Sequence, residues 1–483
     1  MATLNYVTID SATNSFTIND LNLRIRRGTD HAEFRLDTNG DLHIAGIRLQ
    51  DLADKLAPVT VDAEAGEFVI SNIDVKVENG NLHIHSGSGS TDGQVNGKGN
   101  IIVGYNERRT GDVTDRTGSH NIVVGSGHNF TSYGGLVAGD SNTISGAYAS
   151  VLGGERNSAT GFESTVVGGK YCKAKGEYSL VAGGEGEGRE HENRATGAFC
   201  VTVGGKKNVS AAFNSAALGG EENYAQSFSV SAGGYLNKAM GLHSAILGGG
   251  ENEANGPKSN ISGGKKNTTD GGYASVSGGW QSLAYGEHAS VSGGSDNESI
   301  GDDTSILGGK NNRAGDPDAN DRDVGTGATI SGGIANRASG DTASVSGGTE
   351  NHAFGPVTSI LGGTRNTAGD ANREDHQIGW YATVSGGHYN VAEGHSASVT
   401  AGSTNKASSY CAGVAGGQRN VANADYSAIS GGWMNKARGL KASVSGGADN
   451  RADGICSSVS GGWSDDAPGN HDWAAGDDYF SSM

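Results

Sequence analysis

Proline, cysteine and long apolar runs are all scarce in this chain of 483 residues, and each scarcity excludes a class of protein. Only 5 residues are proline, so neither a collagen helix nor a proline-rich linker fits. No apolar run approaches the ~18–20 residues of a membrane helix, and we expect no membrane insertion. The 4 cysteines form no C-x-x-C pair, which predicts isolated thiols rather than a disulfide framework or a zinc site, at Cys172, Cys200, Cys411 and Cys456.

Basic and apolar side chains are also in short supply. Lysine and arginine number 35 against 53 aspartate and glutamate residues, and the net charge of -18 argues against binding to nucleic acid, whose backbone is itself anionic. The first residues, MATLNYVTIDSATNSF, contain no basic segment followed by an apolar run, so we expect no Sec-type signal peptide. With 34% hydrophobic residues, the chain is too poor in apolar side chains for a conventional large core.

Glycine is abundant instead, with 83 residues, and much of it falls in a repeat. Residues 149–184 contain adjacent copies of one unit: a β-prone residue, Gly-Gly, two variable residues, asparagine, a variable residue and alanine. Across residues 136–467 the glycine pair recurs after 15 residues in 16 of 20 intervals, and three intervals are longer. A fixed period of this kind predicts a solenoid rather than disorder, because disorder needs no register.

Two columns of similar residues predict what each coil places in its core and in its turns. β-Branched residues lie two positions before the glycine pair, as at Val151 and Val291, and suit a short strand with its side chain inside. Asparagine lies three positions after the pair, as at Asn252 and Asn267, where we expect the amides to stack and to satisfy the turn backbone. Glycine is expected where φ is positive or where backbones meet closely.

The repeat length sets the size of the coil. Fifteen residues at ~3.3 Å each give a circuit of ~50 Å, which two short strands and two turns fill. We therefore predict an all-β chain, built as a parallel β-solenoid with ~15-residue coils. Such a thin tube buries little apolar area at ~25 cal/mol per Å², against an ordering cost of ~1.5 kcal/mol per residue, so we expect several tubes to associate.

The chain divides into four predicted segments. Residues 1–85 alternate apolar and polar residues and predict a small β-rich attachment and trimerisation domain, with a hairpin across Asn39-Gly40 and later strands near 73–77 and 82–85. Residues 86–135 are predicted as a glycine- and serine-rich linker with a cap for the solenoid. Residues 136–467 form the repeat rod, and residues 468–483 a C-terminal cap.

One short helix is predicted inside the first segment, over residues 47–58. Its apolar residues repeat at i, i+3, i+4 and i+7, and Pro58 ends it. Three turns of helix are not stable alone in water, so this face should pack on its own sheet or on its copies in a trimer. The trimerisation candidates are Leu49, Leu52 and Leu56.

The repeat resembles a known family. Units such as Ala-Ser-Val-Ser-Gly-Gly at 274–279, together with the x-x-Asn-x-Ala-x-Gly that follows most glycine pairs, look like the head repeats of YadA-like trimeric autotransporter adhesins over residues 101–467. The resemblance implies a left-handed parallel β-roll, a homotrimer, and an adhesive or structural role at a surface. The doubled glycine, the regular asparagine and the lack of a coiled-coil stalk and membrane anchor depart from the family. The N-terminal part is similar instead to a fibre of a phage tail or of a phage-tail-like injection particle.

Partner-binding residues are expected where the repeat is broken, because insertions between repeats form loops on one face. The breaks are residues 185–196, 316–326 and 370–380, and the last two lie two regular coils apart, ~15 Å along the axis. Their carboxylates suit either a Ca²⁺ site or, as we favour because EF-hand spacing is absent, a solvated loop without metal. These carboxylates include Asp318, Asp321 and Glu374.

Exposed aromatic residues are the second group of partner-binding candidates. Three tryptophans directly follow a glycine pair at a corner of the coil, one Trp-Tyr pair ends an insertion, and two residues lie at the distal tip. Such rings stack on sugars or anchor a protein partner, or else they pack over the corner of the next coil. The candidates are Trp280, Trp433, Trp463, Trp380, Tyr381, Trp473 and Tyr479.

The histidines are isolated in the sequence, and no nucleophile, base and orienting group occur together. We therefore predict a non-enzymatic homotrimeric fibre without cofactor or metal, exposed on a cell or particle surface. It would bind a cell-surface receptor or glycan and attach to a baseplate or similar component through its N-terminus. A purely structural spacer is the main alternative. A carbohydrate-active enzyme, which needs clustered acids on one coil, is a further one.

Overall fold

The chain divides into two units, Met1–His83 and Ile84–Met483. The computed structural model describes residues 5–10, 15–20, 34–36, 42–44, 59–62, 67–71, 74–109, 113–186, 192–316, 325–370 and 379–476, with side chains from residue 68 onward. Within these residues all regular structure is β and no helix occurs, which confirms the predicted all-β class.

The first unit contains three antiparallel hairpins. Their strands pair as β1 (Asn5–Asp10) with β2 (Ser15–Asp20), β3 (Phe34–Leu36) with β4 (Leu42–Ile44), and β5 (Val59–Asp62) with β6 (Glu67–Ile70). The second hairpin is the one that the Asn39-Gly40 dipeptide predicts, because this pair favours tight β-turns.

Of two further predictions for residues 1–85, the later strands are wrong and the helix is not tested. Residues 74–77 and 82–85 form no strand, so the strands predicted there are wrong. Val75 and Leu82 are exposed, since alternation of apolar and polar residues forms a strand only where a neighbouring strand supplies hydrogen bonds. The predicted helix, with Leu49, Leu52 and Leu56, lies outside the described residues.

The second unit contains a parallel β-solenoid of about 22 coils, as the 15-residue period predicts. Each coil contributes one strand to each of two sheets. The valine sheet, named after its buried valines and isoleucines, consists of β7 Ile101–Val103, β8 Ile122–Ser126, β10 Leu136–Asp140, β12 Ser150–Val151, β14 Thr165–Lys170, β16 Leu180–Glu185, β18 Val201–Val203, β20 Ala216–Ala217, β22 Val230–Ser231, β24 Ala245–Ile246, β26 Asn260–Ile261, β28 Ser275–Val276, β30 Ser290–Val291, β32 Ser305–Ile306, β34 Thr329–Ile330, β36 Ser344–Val345, β38 Ser359–Ile360, β40 Thr383–Val384, β42 Ser398–Val399, β44 Gly413–Val414, β46 Ala428–Ile429, β48 Ser443–Val444, β50 Ser458–Val459 and β52 Trp473–Ala474.

The opposite sheet is the alanine sheet, named after its buried alanines. It consists of β9 Asn129–Phe130, β11 Thr143–Ile144, β13 Ser158–Ala159, β15 Lys173–Ala174, β17 Arg194–Ala195, β19 Val209–Ser210, β21 Tyr224–Ala225, β23 Lys238–Ala239, β25 Glu253–Ala254, β27 Thr268–Thr269, β29 Leu283–Ala284, β31 Glu298–Ser299, β33 Arg313–Ala314, β35 Arg337–Ala338, β37 His352–Ala353, β39 Thr367–Ala368, β41 Val391–Ala392, β43 Lys406–Ala407, β45 Val421–Ala422, β47 Lys436–Ala437, β49 Arg451–Ala452 and β51 Asp466–Ala467.

Neighbouring strands of each sheet are one coil apart, parallel and in register. Val276 of β28 lies beside Val291 of β30, and Ala284 of β29 lies beside Ser299 of β31. The core between the sheets therefore consists of columns of similar small residues, with one residue of each column per coil. Val276, Val291 and Ala284 are at most 1% exposed, which confirms the predicted inward column.

Two turns on opposite edges connect the sheets. The glycine-pair turn, such as 278–282, leads from the valine sheet to the alanine sheet, and the return turn, such as 286–288, leads back. Each turn holds one non-glycine residue at positive φ, here Gln281 at 51° and His288 at 55°. The same backbone strain thus recurs in each regular coil.

The two glycines of a pair stand in different surroundings. Gly264 has a φ of 82°, and a Cβ there would lie 2.3 Å from the carbonyl oxygen of Gly279 in the next coil, so only glycine fits. Gly263 has an ordinary φ, and a Cβ there would meet nothing within 4 Å. The predicted need for glycine is therefore confirmed for the second position. At the first position it is confirmed where φ is positive, as at Gly204 and Gly219, and wrong at Gly263, which lies on the open surface of the coil.

A buried ladder of asparagine side chains, which we call the asparagine spine, joins the glycine-pair turns. Nδ2 of Asn252 donates to the carbonyl oxygens of Gly248 in its own turn and of Gly264 in the next, both at 3.1 Å. Its Oδ1 accepts the backbone N–H of Asn267 at 3.0 Å, as the sequence predicts. The spine position holds another residue type at His128, Cys172, Ser282 and Asp465.

Candidate functional site

The return-turn edge of the solenoid carries a row of exposed rings near its C-terminal end, which we call the C-terminal aromatic ladder. Its successive ring centroids are 6.3, 5.7, 5.1 and 5.4 Å apart. The ladder consists of Trp380, Tyr381, His395, Tyr410 and Tyr426. Both members of the predicted Trp-Tyr pair therefore belong to a larger surface.

The coil geometry brings these rings together. Each ring after Trp380 belongs to the return turn of a successive coil, and coils rise by only ~4.8 Å, so neighbouring rings touch. Tyr381 and Tyr426 occupy the turn position with positive φ, at 58° each. The rings project outward, and Tyr381, Tyr410 and Tyr426 are 50%, 43% and 51% exposed. The ladder is therefore accessible along one side.

The ladder contains no carboxylate, lysine or arginine side chain. The neighbouring Cys411, followed by Tyr426, raises the pKa of Tyr410, because negative charge on either neighbour disfavours the phenolate. Some outward residues of the adjoining valine-sheet strands bear hydroxyls, such as Ser398 and Thr400. This edge thus offers flat apolar rings beside hydrogen-bonding hydroxyls.

Two of the predicted breaks in the repeat leave the solenoid at the same edge. Residues 316–326 follow β33 and residues 370–380 follow β39, both before a return turn. In the alanine sheet β35 and β37 lie between them, which confirms the predicted separation by two regular coils. The loop ends are adjacent, since a Cβ on Gly325 would lie 2.8 Å from the Cα of Gly315. The second insertion leads directly into the C-terminal aromatic ladder.

Charged contacts hold the described base of the first insertion. Asp316 is 9% exposed and accepts a hydrogen bond from Arg337 at 3.1 Å. The Oδ1 of Asp341 accepts the backbone N–H of Gly325 at 2.7 Å. The predicted binding residues Asp318, Asp321 and Glu374 lie outside the described residues, as does Tyr479.

The third break, residues 185–196, lies on the opposite edge, in a glycine-pair turn. The expectation that the breaks share one face is therefore wrong for this insertion, because it enters the coil after a valine-sheet strand rather than after an alanine-sheet strand. Glu192 lies at its described end and is 4% exposed. Its carboxylate forms ion pairs with Lys173 at 2.5 Å and with Arg194 at 3.6 Å.

The predicted tryptophans other than Trp380 lie apart from the C-terminal aromatic ladder. Trp280, Trp433 and Trp463 are 44%, 39% and 74% exposed, in the glycine-pair turns, as expected of a corner position. Trp433 and Trp463 approach each other with ring centroids 6.5 Å apart, whereas Trp280 belongs to a distant coil. Trp473 lies in β52 and donates from Nε1 to Ser460 at 2.9 Å.

The sequence reasoning missed a second row of rings on the return-turn edge. We call it the N-terminal aromatic ladder, and its ring centroids are 4.9–6.0 Å apart. Aromatic residues that recur at the coil period just before a valine-sheet strand were its signal in the sequence. The members are Tyr133, Tyr148, Phe162, Tyr178, Phe199, Phe213, Phe228 and His243.

Two kinds of feature are absent from the residues that the structure describes. Within the described ranges, no three histidine, cysteine or carboxylate side chains gather as metal ligands. No helix long and apolar enough to span a membrane occurs there either.

No protein-family model matches the sequence, and no curated protein matches it.

Proposed function

We propose that this chain is the subunit of a non-enzymatic, homotrimeric fibre that binds a surface glycan through the C-terminal aromatic ladder. The observation that carries the proposal is the row of exposed rings that begins directly after an insertion in the repeat. Regular coils expose the same small side chains many times. A specific binding site is therefore expected where the repeat pattern changes.

The chemistry of the ladder favours a sugar over a charged ligand. A pyranose ring has an apolar face that packs on an aromatic ring, and a rim of hydroxyls that needs hydrogen-bonding partners. Tyr381, Tyr410 and Tyr426 supply the rings, while Ser398 and Thr400 supply hydroxyls nearby. A protein receptor is the other partner that exposed aromatic residues suit.

The assembly follows from the resemblance of the repeat to YadA-like adhesin heads. In this proposal three left-handed rolls associate, and the N-terminal unit attaches the fibre to a cell surface or to a component such as a phage-tail baseplate. A thin solenoid of about 22 coils supports the idea of association, because small coils bury little apolar surface alone. The high negative charge would keep such a fibre soluble.

A glycan array tests the function, with the wild-type chain and two triple variants. Tyr381→Ala, Tyr410→Ala and Tyr426→Ala together remove the ladder rings. The matched control removes three tyrosines from the glycine-pair edge, at Tyr171, Tyr235 and Tyr389. We expect the ladder variant to lose about tenfold or more in affinity, as the loss of buried aromatic contacts does, and the control to bind as the wild type does.

Each alternative makes a different prediction in the same assay. A purely structural spacer would bind no glycan, and this result would refute the proposal. A carbohydrate-active enzyme would shorten a bound glycan and would lose this activity when Asp318 and Asp321 are replaced by asparagine. Binding that survives in the ladder variant would assign recognition to another surface, such as the tip near Trp473.

A further inference from the structure

The valine sheet has two outward columns, represented by Ser150 and Leu152 in one coil, and by Ser443 and Ser445 in another. Neither column carries a charge in any described coil from β10 to β50. The charged residues Asp140, Lys170 and Glu185, which end β10, β14 and β16, lie beyond these columns, past the glycine pair. These columns contain leucine, valine, alanine, glycine, serine, threonine and a single asparagine, Asn260. In a chain with 18% charged residues, so long a neutral surface requires an explanation.

The alanine sheet shows the opposite pattern. Its outward residues include many lysines, arginines and glutamates, which form ion pairs between coils, such as Lys238 with Glu253 at 2.7 Å and Arg313 with Glu298 at 2.6 Å. Such exposed pairs are typical of a solvated surface. The two sheets have the same backbone geometry, so backbone geometry does not explain why their outward residues differ. We attribute the difference to what each outward face contacts.

The neutral face is also apolar over its first eight coils, from β10 to β24. Its outermost column there is 39–57% exposed at Leu152, Val167, Val203, Leu218 and Leu247. The N-terminal aromatic ladder borders the same coils, because its rings occupy the return turns that lead into these strands. While these apolar side chains remain in water, the chain forgoes the favourable free energy that their burial would give.

In many coils the first glycine of the pair extends this surface at its other border. At Gly263, Gly278 and Gly293 the backbone has an ordinary φ, and a Cβ would meet nothing within 4 Å. Nothing inside the chain therefore demands glycine at these positions. A bare backbone at this border allows another chain to approach closely.

We infer that the valine-sheet face is the surface through which copies of this chain pack against one another, anchored by the apolar coils β10 to β24. The inference rests on the proposed fibre and specifies its contact. Five residues across at ~3.3 Å and coils at ~4.8 Å give ~600 Å² for the eight apolar coils and ~1,700 Å² for about 22 coils. A stable interface needs ~800 Å² per partner, which the whole face exceeds.

Charge and period favour a second copy of this chain over an unrelated partner. Copies with a net charge of -18 repel one another, and the valine-sheet face is the side of the described solenoid where they can approach without burying a charge. A partner that contacts every coil must also repeat at the coil rise of ~4.8 Å. A copy of the same solenoid has this period because it consists of the same coils.

Sedimentation of the full chain tests the inference. Leu152→Asp, Leu218→Asp and Leu247→Asp together place three charges on the face. The matched control places three charges on the alanine sheet, as Val209→Asp, Val391→Asp and Val421→Asp. At micromolar concentration we expect the wild type and the control to have the mass of three 48.9-kDa chains, and the face variant to have the mass of one. Circular dichroism checks that both variants are folded.

Cross-linking gives a second measurement that does not rely on a disruptive charge. Leu247→Cys and, separately, Val421→Cys are made in a background with Cys411→Ser and Cys456→Ser. We expect a short bismaleimide to join copies through position 247 and not through position 421. Equal cross-linking at both positions would overturn the inference, as would a wild-type mass in the folded face variant.

The outcomes separate this inference from the proposed glycan binding. A trimer that withstands the face variant refutes the contact surface and leaves the fibre and its ligand standing. Glycan binding that fails in an intact trimer refutes the function and leaves the contact surface standing. A monomeric wild type would overturn the contact surface and the trimeric fibre together.

Discussion

Asn252 and Asn237, which lie one coil apart, are joined by a hydrogen bond in which the backbone N–H of Asn252 donates to Oδ1 of Asn237 at 3.1 Å. Both side chains are fully buried. Since the Nδ2 of each asparagine also binds two glycine carbonyls, the amide uses its donors and its acceptor at once. The spine thus satisfies buried polar groups of the glycine-pair turns, beside the backbone hydrogen bonds that join successive turns, such as the one from the N–H of Gly250 to the oxygen of Gly264.

Asn252→Asp should destabilise the solenoid strongly. The substitution replaces the Nδ2 donor that faces the carbonyls of Gly248 and Gly264 by a carboxyl oxygen, so an acceptor or a buried charge faces two oxygens. We expect a loss of about 3 kcal/mol in the free energy of unfolding, measured by urea denaturation. Asn423→Asp is the control, because Asn423 is exposed on the alanine sheet. Equal effects of the two substitutions would show that the spine is not needed.

Val291→Asp should unfold the coils around it. Val291 is 1% exposed between the two sheets, and a carboxylate there has no water and no partner. We expect a loss of about 4 kcal/mol or more, seen as a lower melting temperature and a weaker β signal in circular dichroism. Thr367→Asp, on the outer side of the alanine sheet, should change little. An unchanged melting curve for Val291→Asp would contradict the assignment of the valine column to the core.

Val357→Asn should stabilise the chain. Val357 has a φ of 56° in a return turn, a backbone conformation that costs a β-branched residue free energy and that asparagine tolerates. We expect a gain of about 1 kcal/mol, measured as a higher melting temperature. The control Val391→Asn alters a strand residue with ordinary φ and should be neutral or destabilising. A lower melting temperature for Val357→Asn would show that side-chain contacts outweigh the strain.

The thiol of Cys172 should make stability depend on pH in the alkaline range. Burial raises the pKa of Cys172 to about 11 from the ordinary value of 9.0. The unfolded chain therefore loses this proton first, so the contribution to stability is intact below about pH 9 and disappears as the pH rises toward 11. Cys172→Ser should remove this slope, because serine occupies the same spine position at Ser282. Parallel curves for the two proteins would contradict the prediction.

Native Cys172 should also resist thiol reagents at pH 8, whereas Cys456 is exposed and should react. Ellman's reagent, with Cys411→Ser and Cys456→Ser together as the control, measures the difference. Rapid reaction of the two buried thiols that remain in that control, Cys172 and Cys200, would show that the solenoid opens readily.

Deletion of residues 316–324 or of residues 370–378 should leave the fold intact. Each deletion joins adjacent loop ends, Gly315 to Gly325 or Gly369 to Gly379, and restores a 15-residue coil. We expect melting temperatures within a few degrees of the wild type, since the coils on both sides are complete. If the second deletion weakens glycan binding and truncation after Asp466 does not, the binding site lies at the ladder rather than at the tip.

The amino-acid sequence by itself determined the coil. A 15-residue period with β-branched residues, glycine pairs and asparagine at fixed positions is compatible with few structures other than stacked parallel strands, because each position must satisfy the same environment in each coil. The inward position of Val291, the stacking of Asn252 and the separation of two insertions by two coils all follow from the period alone. These are local properties, which repeat along the chain.

The tertiary structure decided which residues share a surface, because this depends on the strand or turn to which each position belongs. Tyr381 and Tyr426 lie 45 residues apart in the sequence, yet they belong to one ladder, since successive return turns are stacked ~4.8 Å apart. Trp433 and the break at 185–196 face the other edge for the same reason. The neutral valine-sheet face became visible only once Ser150 and Leu152 were assigned to the outer side, because a strand alternates its side chains between core and surface.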